Sequence, residues 1–220
     1  MAKRLAVFDV DGTLVDSAAT IARCMARAFP ECGRRPPSGT AVRAIIGLSL
    51  PAAMAEIAPD ADAGEIERLV AAYRREFAEK RAPDPLFPGV AEGLDRLEER
   101  GLVLAVATGK TRSGLASVLA AHGLAARFAA LACGDDGPGK PHPFMLEKLI
   151  RDTGIPAGLA VMVGDTTFDI EMARAAGIAG IGVAWGNHAP ADLMAAGAKV
   201  VVSSFPELVD WISGSGSLSP

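Results

Sequence analysis

Four short segments of this 220-residue chain combine carboxylates, hydroxyls and a lysine with glycine or proline. In Asp9-Val10-Asp11-Gly12-Thr13, two carboxylates stand two residues apart. Along an extended backbone they would face opposite ways. The chain must therefore turn at Asp11 for both to reach one site, and Gly12 permits such a turn. An ordinary strand ending in an Asp-Gly turn accounts for the same residues. In Thr108-Gly109-Lys110, a hydroxyl and the Gly109 backbone N–H at a strand end could hold a phosphate oxygen, although Thr/Gly loops are common. In Gly139-Lys140-Pro141-His142-Pro143, Lys140 supplies a fixed cation, and Pro141 or Pro143 suits the first turn of a following helix. Alone, Lys140 reads as a solvated loop lysine. In Gly164-Asp165-Thr166-Thr167-Phe168-Asp169, a helix starting near Thr166 would be capped by Asp165. Asp169, four residues on, can face the same way or lie on the helix surface.

Taken together the four segments discriminate better than any one of them. They imply Asp9, Asp11, Asp165 and Asp169 gathered in one place. Like charges about 4 Å apart repel by about 4 kcal/mol per pair at an effective dielectric near 20. Such a cluster makes sense with a cation among its members. Oxygen ligands suit a hard divalent ion, and Mg2+ fits when few carboxylates ligate and a phosphate completes the shell. Thr108 and Lys140 would then hold the remaining phosphate oxygens, which makes a site for phosphoryl transfer.

The elements that must position these residues are legible as apolar runs. Residues 5–8 form a short apolar run ending at Asp9, and similar runs recur at 102–107, 128–132, 159–163, 179–184 and 199–202. Each reads as a buried strand. Helical patterns separate them: 90–100 closes before Gly101, 113–122 before Gly123, and 143–152 shortly before Gly154. Alternating strand and helix predicts an α/β fold, a doubly wound parallel sheet with helices on both faces. Each chemical segment follows a strand, the edge where ligands bind in open α/β sheets. Residues 16–82 break the alternation, with helices expected at 17–28, 38–46, 52–58 and 64–80. They read as a smaller all-helical cap domain inserted into a core domain of residues 1–15 and 83–213, with 214–220 a mobile Ser/Gly tail.

Composition excludes several classes. Half of the residues are hydrophobic and 22% are charged, as in ordinary globular proteins. Net charge is −4 with no Lys/Arg cluster, so nucleic-acid binding has no electrostatic support. Cys24, Cys32 and Cys133 have no metal-ligand spacing and fit free thiols in a reducing compartment. The N-terminal segment reaches Asp9 too soon for a signal peptide's apolar region, and no stretch approaches the roughly 20 apolar residues of a membrane span. The chain reads as soluble and cytoplasmic.

The segments DVDGT, ATGK, GKPHP and GDTTFD, in this order, resemble the four signature motifs of the haloacid dehalogenase (HAD) superfamily. The resemblance covers the whole chain, because the helical insert after the first motif is similar to that superfamily's C1-type cap. Leu14-Val15-Asp16-Ser17 also resembles the phosphoglycolate phosphatase-like branch. The resemblance implies a Rossmann-like core and a Mg2+-dependent phosphatase acting on a small phosphorylated metabolite. By the same resemblance Asp9 attacks phosphorus, and Asp11 acts first as acid and then as base. Asp9, the backbone carbonyl of Asp11 and Asp165 bind Mg2+. Lys140 neutralises charge, Thr108 and Gly109 hold phosphate, and Asp169 supports Lys140 or the metal shell. Arg43, on the cap one turn before Gly47, could meet a second anionic group such as the carboxylate of phosphoglycolate, or be a solvated surface cation. Competing readings are a phosphomutase of the β-phosphoglucomutase kind, which residues 39–50 match poorly, a pyrophosphatase, a dehalogenase, which Asp11 disfavours, and a non-catalytic binding protein.

Overall fold

In the computed structural model, residues 3–79 and 82–214 are described. Six parallel strands form one sheet: β1 (Arg4–Phe8), β2 (Leu102–Ala107), β3 (Phe128–Ala132), β4 (Ala160–Gly164), β5 (Ala179–Val183) and β6 (Val200–Val202), in the order β3-β2-β1-β4-β5-β6. The order reverses at β1, which pairs with β2 on one side and β4 on the other. A reversal of this kind opens a crevice beyond the carboxyl ends of the two central strands, so the end of β1 is where a ligand would be received.

The pleat explains why these runs are apolar at every position. Side chains alternate between faces, and both faces of the sheet are covered. Ala6 and Phe8 join a cluster with Leu94 and Leu97 of α5 (Val90–Glu99), Leu115 of α6 (Arg112–Ala121) and Phe205 of α10 (Phe205–Ser213). Leu5 and Val7 face the other way, against Met145 and Leu149 of α7 (Phe144–Thr153) and Met172 of α8 (Thr167–Ala175). Helix α9 (Pro190–Ala196) adds Leu193 to a small satellite cluster with Ile170 and Ala198.

Between β1 and α5 lie α1 (Ala18–Glu31), α2 (Gly39–Arg43), α3 (Leu50–Ile57) and α4 (Ala63–Ala78). Their apolar sides meet in a separate cluster that includes Ile21, Met25, Met54, Leu69 and Tyr73. Helix α4 starts where Asp62 accepts a hydrogen bond from the Glu65 N–H at 2.8 Å, one of the orphan donors of a helix start.

Several expected boundaries move. The helix expected at 38–46 stops at Arg43, and residues 44–47 are a turn ending at Gly47, whose φ is +103°. The strand expected at 159–163 runs Ala160–Gly164, because Leu159 closes a 3₁₀ turn. Pro143 stands at the N-cap of α7 and not inside its first turn. Of the expected tail 214–220, all but Gly214 lies outside the described residues.

Candidate active site

Asp9 follows the last residue of β1, and its backbone N–H donates to the Val163 carbonyl of β4 at 3.0 Å. That bond fixes the carboxylate over the crevice between the two strands. Asp165 follows β4, and Asp169 lies in the first turn of α8. All three side chains are buried, and each offers an oxygen within 4.8 Å of the others.

Lys140 reaches into this group from the loop before α7. Its Nζ is 2.8 Å from Asp9 Oδ1 and 2.6 Å from Asp169 Oδ1. The contacts lack good hydrogen-bond alignment and act as charge pairing. The residue is only 4% exposed, which removes the reading of a solvated loop lysine. Burial works against the ammonium, but Asp169 and Asp9 outweigh it and its pKa is raised.

The Asp165 carboxylate is held at both oxygens. Oδ1 accepts from Thr13 Oγ1 at 2.9 Å, and Oδ2 accepts from the Asn187 backbone N–H at 2.9 Å and Nδ2 at 2.8 Å. Burial, with Asp169 adding to it, nevertheless pushes Asp165 up to about 7, against the bonds from Asn187 and Thr13. Asp9 is raised too, chiefly by burial and further by Asp169 and Asp165, with Lys140 opposing. Three buried carboxylates against one ammonium leave an excess of negative charge that needs a proton or a second cation.

Asp165 does not cap α8. Thr166 does, accepting from the Asp169 backbone N–H, while Asp169 Oδ2 accepts from the Thr166 N–H at 3.1 Å and its Oγ1 at 2.7 Å. This reciprocal box satisfies the helix start and aims the other oxygen of Asp169 at Lys140. Asp169 is therefore a buried acid, not helix surface.

Asp11 does not bring its carboxylate into the three-acid group. Lys110 Nζ lies 2.8 Å from Oδ2, and Ser17 Oγ donates to Oδ1 at 2.5 Å. The backbone bends at Val10 between the two acids, and after Asp11 it turns again through Gly12, with φ +85°. A side chain at Gly12 would also collide with Asp165 and Asn187, so glycine is required there twice over. Thr108 is buried at the end of β2, where its Oγ1 accepts from the Lys110 N–H at 3.3 Å. Gly109 lies under the Gly47–Leu48 turn so closely that a Cβ would strike the Leu48 carbonyl. Arg43 is exposed, and its Nη1 donates to Asn187 Oδ1 at 3.4 Å.

Sequence reasoning missed Thr13, Ser17, Lys110 and above all Asn187. Asn187 lies in the loop after β5, at the same sheet edge as the other four segments, so the rule that found them could have found it.

Residues 6–183 match the haloacid dehalogenase-like hydrolase family. The chain belongs to that family. A relative named "Probable phosphatase IndB" from Dickeya dadantii is 41% identical over 94% of this chain and 92% of its own length. A phosphoglycolate phosphatase from Agrobacterium fabrum is 34% identical over 83% of this chain and 81% of its own. Among solved structures, a haloacid dehalogenase-like family protein from Streptococcus pneumoniae shares the fold, with a TM-score of 0.82 over 95% of this chain and 98% of that one at 24% identity. As a member of this hydrolase family, the chain is an enzyme.

The family generally uses Mg2+, and the donor set of this hydrolase suits such an ion. The candidate ligands are carboxylate oxygens, the hard donors that Mg2+ takes. Among the described residues, Asp9 Oδ2 is buried without a hydrogen bond, and the Lys140 ammonium meets the carboxylate most closely at Oδ1, 2.8 Å away. A buried anionic oxygen left in that condition is costly, and a cation at the crevice removes the cost.

Proposed function

We propose that this chain is a Mg2+-dependent phosphatase that hydrolyses a small phosphomonoester through an aspartyl-phosphate on Asp9. The observation that carries this reading is the buried Asp9 carboxylate at the end of β1, its Oδ2 without a hydrogen bond and its Oδ1 2.8 Å from Lys140 Nζ. Lys140 pairs with the carboxylate and orients it, and the carboxylate attacks phosphorus.

Asp11 gives a proton to the departing oxygen, then takes one from the water that attacks the acyl phosphate. To do so it exchanges its contacts with Lys110 and Ser17 for the substrate oxygen. Thr108 and the Gly109 N–H hold phosphate oxygens, and Lys140 offsets charge on the nucleophile and the phosphate. Asp9, Asp165 and the Asp11 backbone carbonyl are the groups that would hold Mg2+, with Asp169 in support through Lys140. When bound, the ion supplies positive charge against the carboxylates and the phosphate oxygens. Residues 16–82 act as the cap and residues 1–15 with 83–213 as the core in this reading. No helix among the described residues is long and apolar enough to cross a membrane. With three free cysteines, a cytoplasmic setting belongs to the same proposal.

The test is phosphate release from phenyl phosphate. Mg2+ is expected to support turnover, exhaustive EDTA treatment to abolish it, and Ca2+ to inhibit, because it takes more oxygens at longer distance. Turnover undiminished by EDTA would defeat the metal requirement.

A further inference from the structure

Between α1 to α4 and the sheet edge lies a cavity of about 490 Å³. That is within the roughly 300–1,000 Å³ typical of pockets enclosing a drug-sized ligand, and far more than a two-carbon acid fills. Asp11 is part of its lining. If Asp11 protonates the leaving oxygen, the rest of the leaving group must extend from Asp11 into this space.

The walls are predominantly apolar. Ile45, Leu48 and Leu50 contribute from one side, and Ile21, Met25 and Phe77 from another. Phe77 carries the Lys110 ammonium 5.5 Å from its ring centroid, and that ammonium is itself paired with Asp11. The charged lining residues are Asp11 and Asp135 against Lys110 and Arg74, two acids and two bases. The lining therefore carries no cationic excess to favour a carboxylate. Arg43, the arginine that the sequence offered for such a carboxylate, is not part of the lining.

Resting on the phosphatase reading, we infer that this cavity is a leaving-group pocket and that the enzyme prefers phosphomonoesters whose alcohol carries an extended apolar or aromatic surface over phosphoglycolate. Removing apolar surface from water drives that preference, because most lining side chains are apolar, with Ser49, Tyr73 and Thr111 the uncharged polar ones.

The experiment is kcat/KM with Mg2+ for n-alkyl phosphates from ethyl to hexyl, whose leaving alcohols are of similar acidity, alongside phosphoglycolate. The expected result is a rise of about two- to fourfold per methylene, the scale of burying one CH₂, with hexyl phosphate above phosphoglycolate. A flat or falling series, or phosphoglycolate above hexyl phosphate, would overturn the pocket. Calorimetric binding of n-hexylphosphonate against ethylphosphonate to the Mg2+-loaded protein reads the same preference without turnover. Chain-length-dependent binding with no hydrolysis of any ester would sink the phosphatase reading and keep the pocket. Equal binding of the two would sink the pocket itself. Leu50→Glu is expected to collapse the hexyl-to-ethyl ratio towards one. That ratio, taken on one preparation, does not depend on the folded fraction, so a ratio unchanged from the parent protein would contradict the placement.

Discussion

Asp169 meets Lys140 with Oδ1 at 2.6 Å while its Oδ2 accepts from both the N–H and the hydroxyl of Thr166. One carboxylate thus ties the start of α8 to the only ammonium within the buried acid group among the described residues. The helix cap sets the direction of the acid, and the acid sets the position of Lys140 beside Asp9.

Lys140→Met follows from that arrangement. The substitution leaves Asp9, Asp165 and Asp169 buried without their internal counter-charge. Breaking a buried pair by removing one partner costs about 3–5 kcal/mol. Urea unfolding in EDTA is expected to show a loss of that size, partly recovered with Mg2+. A loss below about 1 kcal/mol would mean that the ammonium is not what balances the cluster.

The acid group also predicts how the metal-free protein responds to pH. Burial and Asp169 hold Asp165 at about 7 against an ordinary 3.8, and Asp9 is shifted in the same direction. Between those values the folded protein keeps a proton that the unfolded chain has released. Stability therefore falls as pH rises through the window. Asp60 and Glu65, held below their ordinary values chiefly by hydrogen bonds from Arg34, contribute with the opposite sign but only in the acid range. In EDTA, Tm is expected to fall by several degrees between about pH 5 and pH 7.5, and Mg2+ to flatten that fall. A Tm that rises across the interval in EDTA would contradict the burial of uncompensated carboxylates.

Arg43 gives a prediction in the other direction. It is exposed, it touches Asn187, and it is not part of the cavity lining. Exposed contacts of this kind contribute about 1 kcal/mol or less. Arg43→Ala should lower kcat/KM by less than about fivefold, and equally for phosphoglycolate and phenyl phosphate. A loss of about 2–3 kcal/mol confined to the acidic substrate would place Arg43 in substrate binding.

The sheet was readable because its strands are buried on both faces. A short, continuous apolar run such as the one ending at Phe8, followed at once by an acid, suits a central parallel strand and little else. The acids at the ends of β1 and β4 came with them. Their division of labour did not. Asp165 and Thr166 are both good N-caps by residue type, and only the backbone path out of β4 gives the cap to Thr166 and frees Asp165 for Thr13 and Asn187. Taken without the other motifs, Lys140 fits a surface lysine, because burial is decided by what packs over a loop, here Asp9 and Asp169 from distant parts of the chain. Asp11 reads as one of four clustered acids, but the bend at Val10 leaves its carboxylate beside Lys110 and not among the other three. Helices α9 and α10 are short and open with proline near the first turn, so neither offers a long periodic pattern to read.

The nucleophile is the centre of the account, and Asp9→Asn tests it most directly. The amide is nearly isosteric, so a protein with native secondary structure and a cooperative thermal transition is expected. Its nitrogen cannot attack phosphorus, and turnover of phenyl phosphate with Mg2+ should fall by more than about a thousandfold. A folded Asp9→Asn protein that keeps a substantial fraction of the parent turnover would contradict the assignment of Asp9 and the aspartyl-phosphate with it.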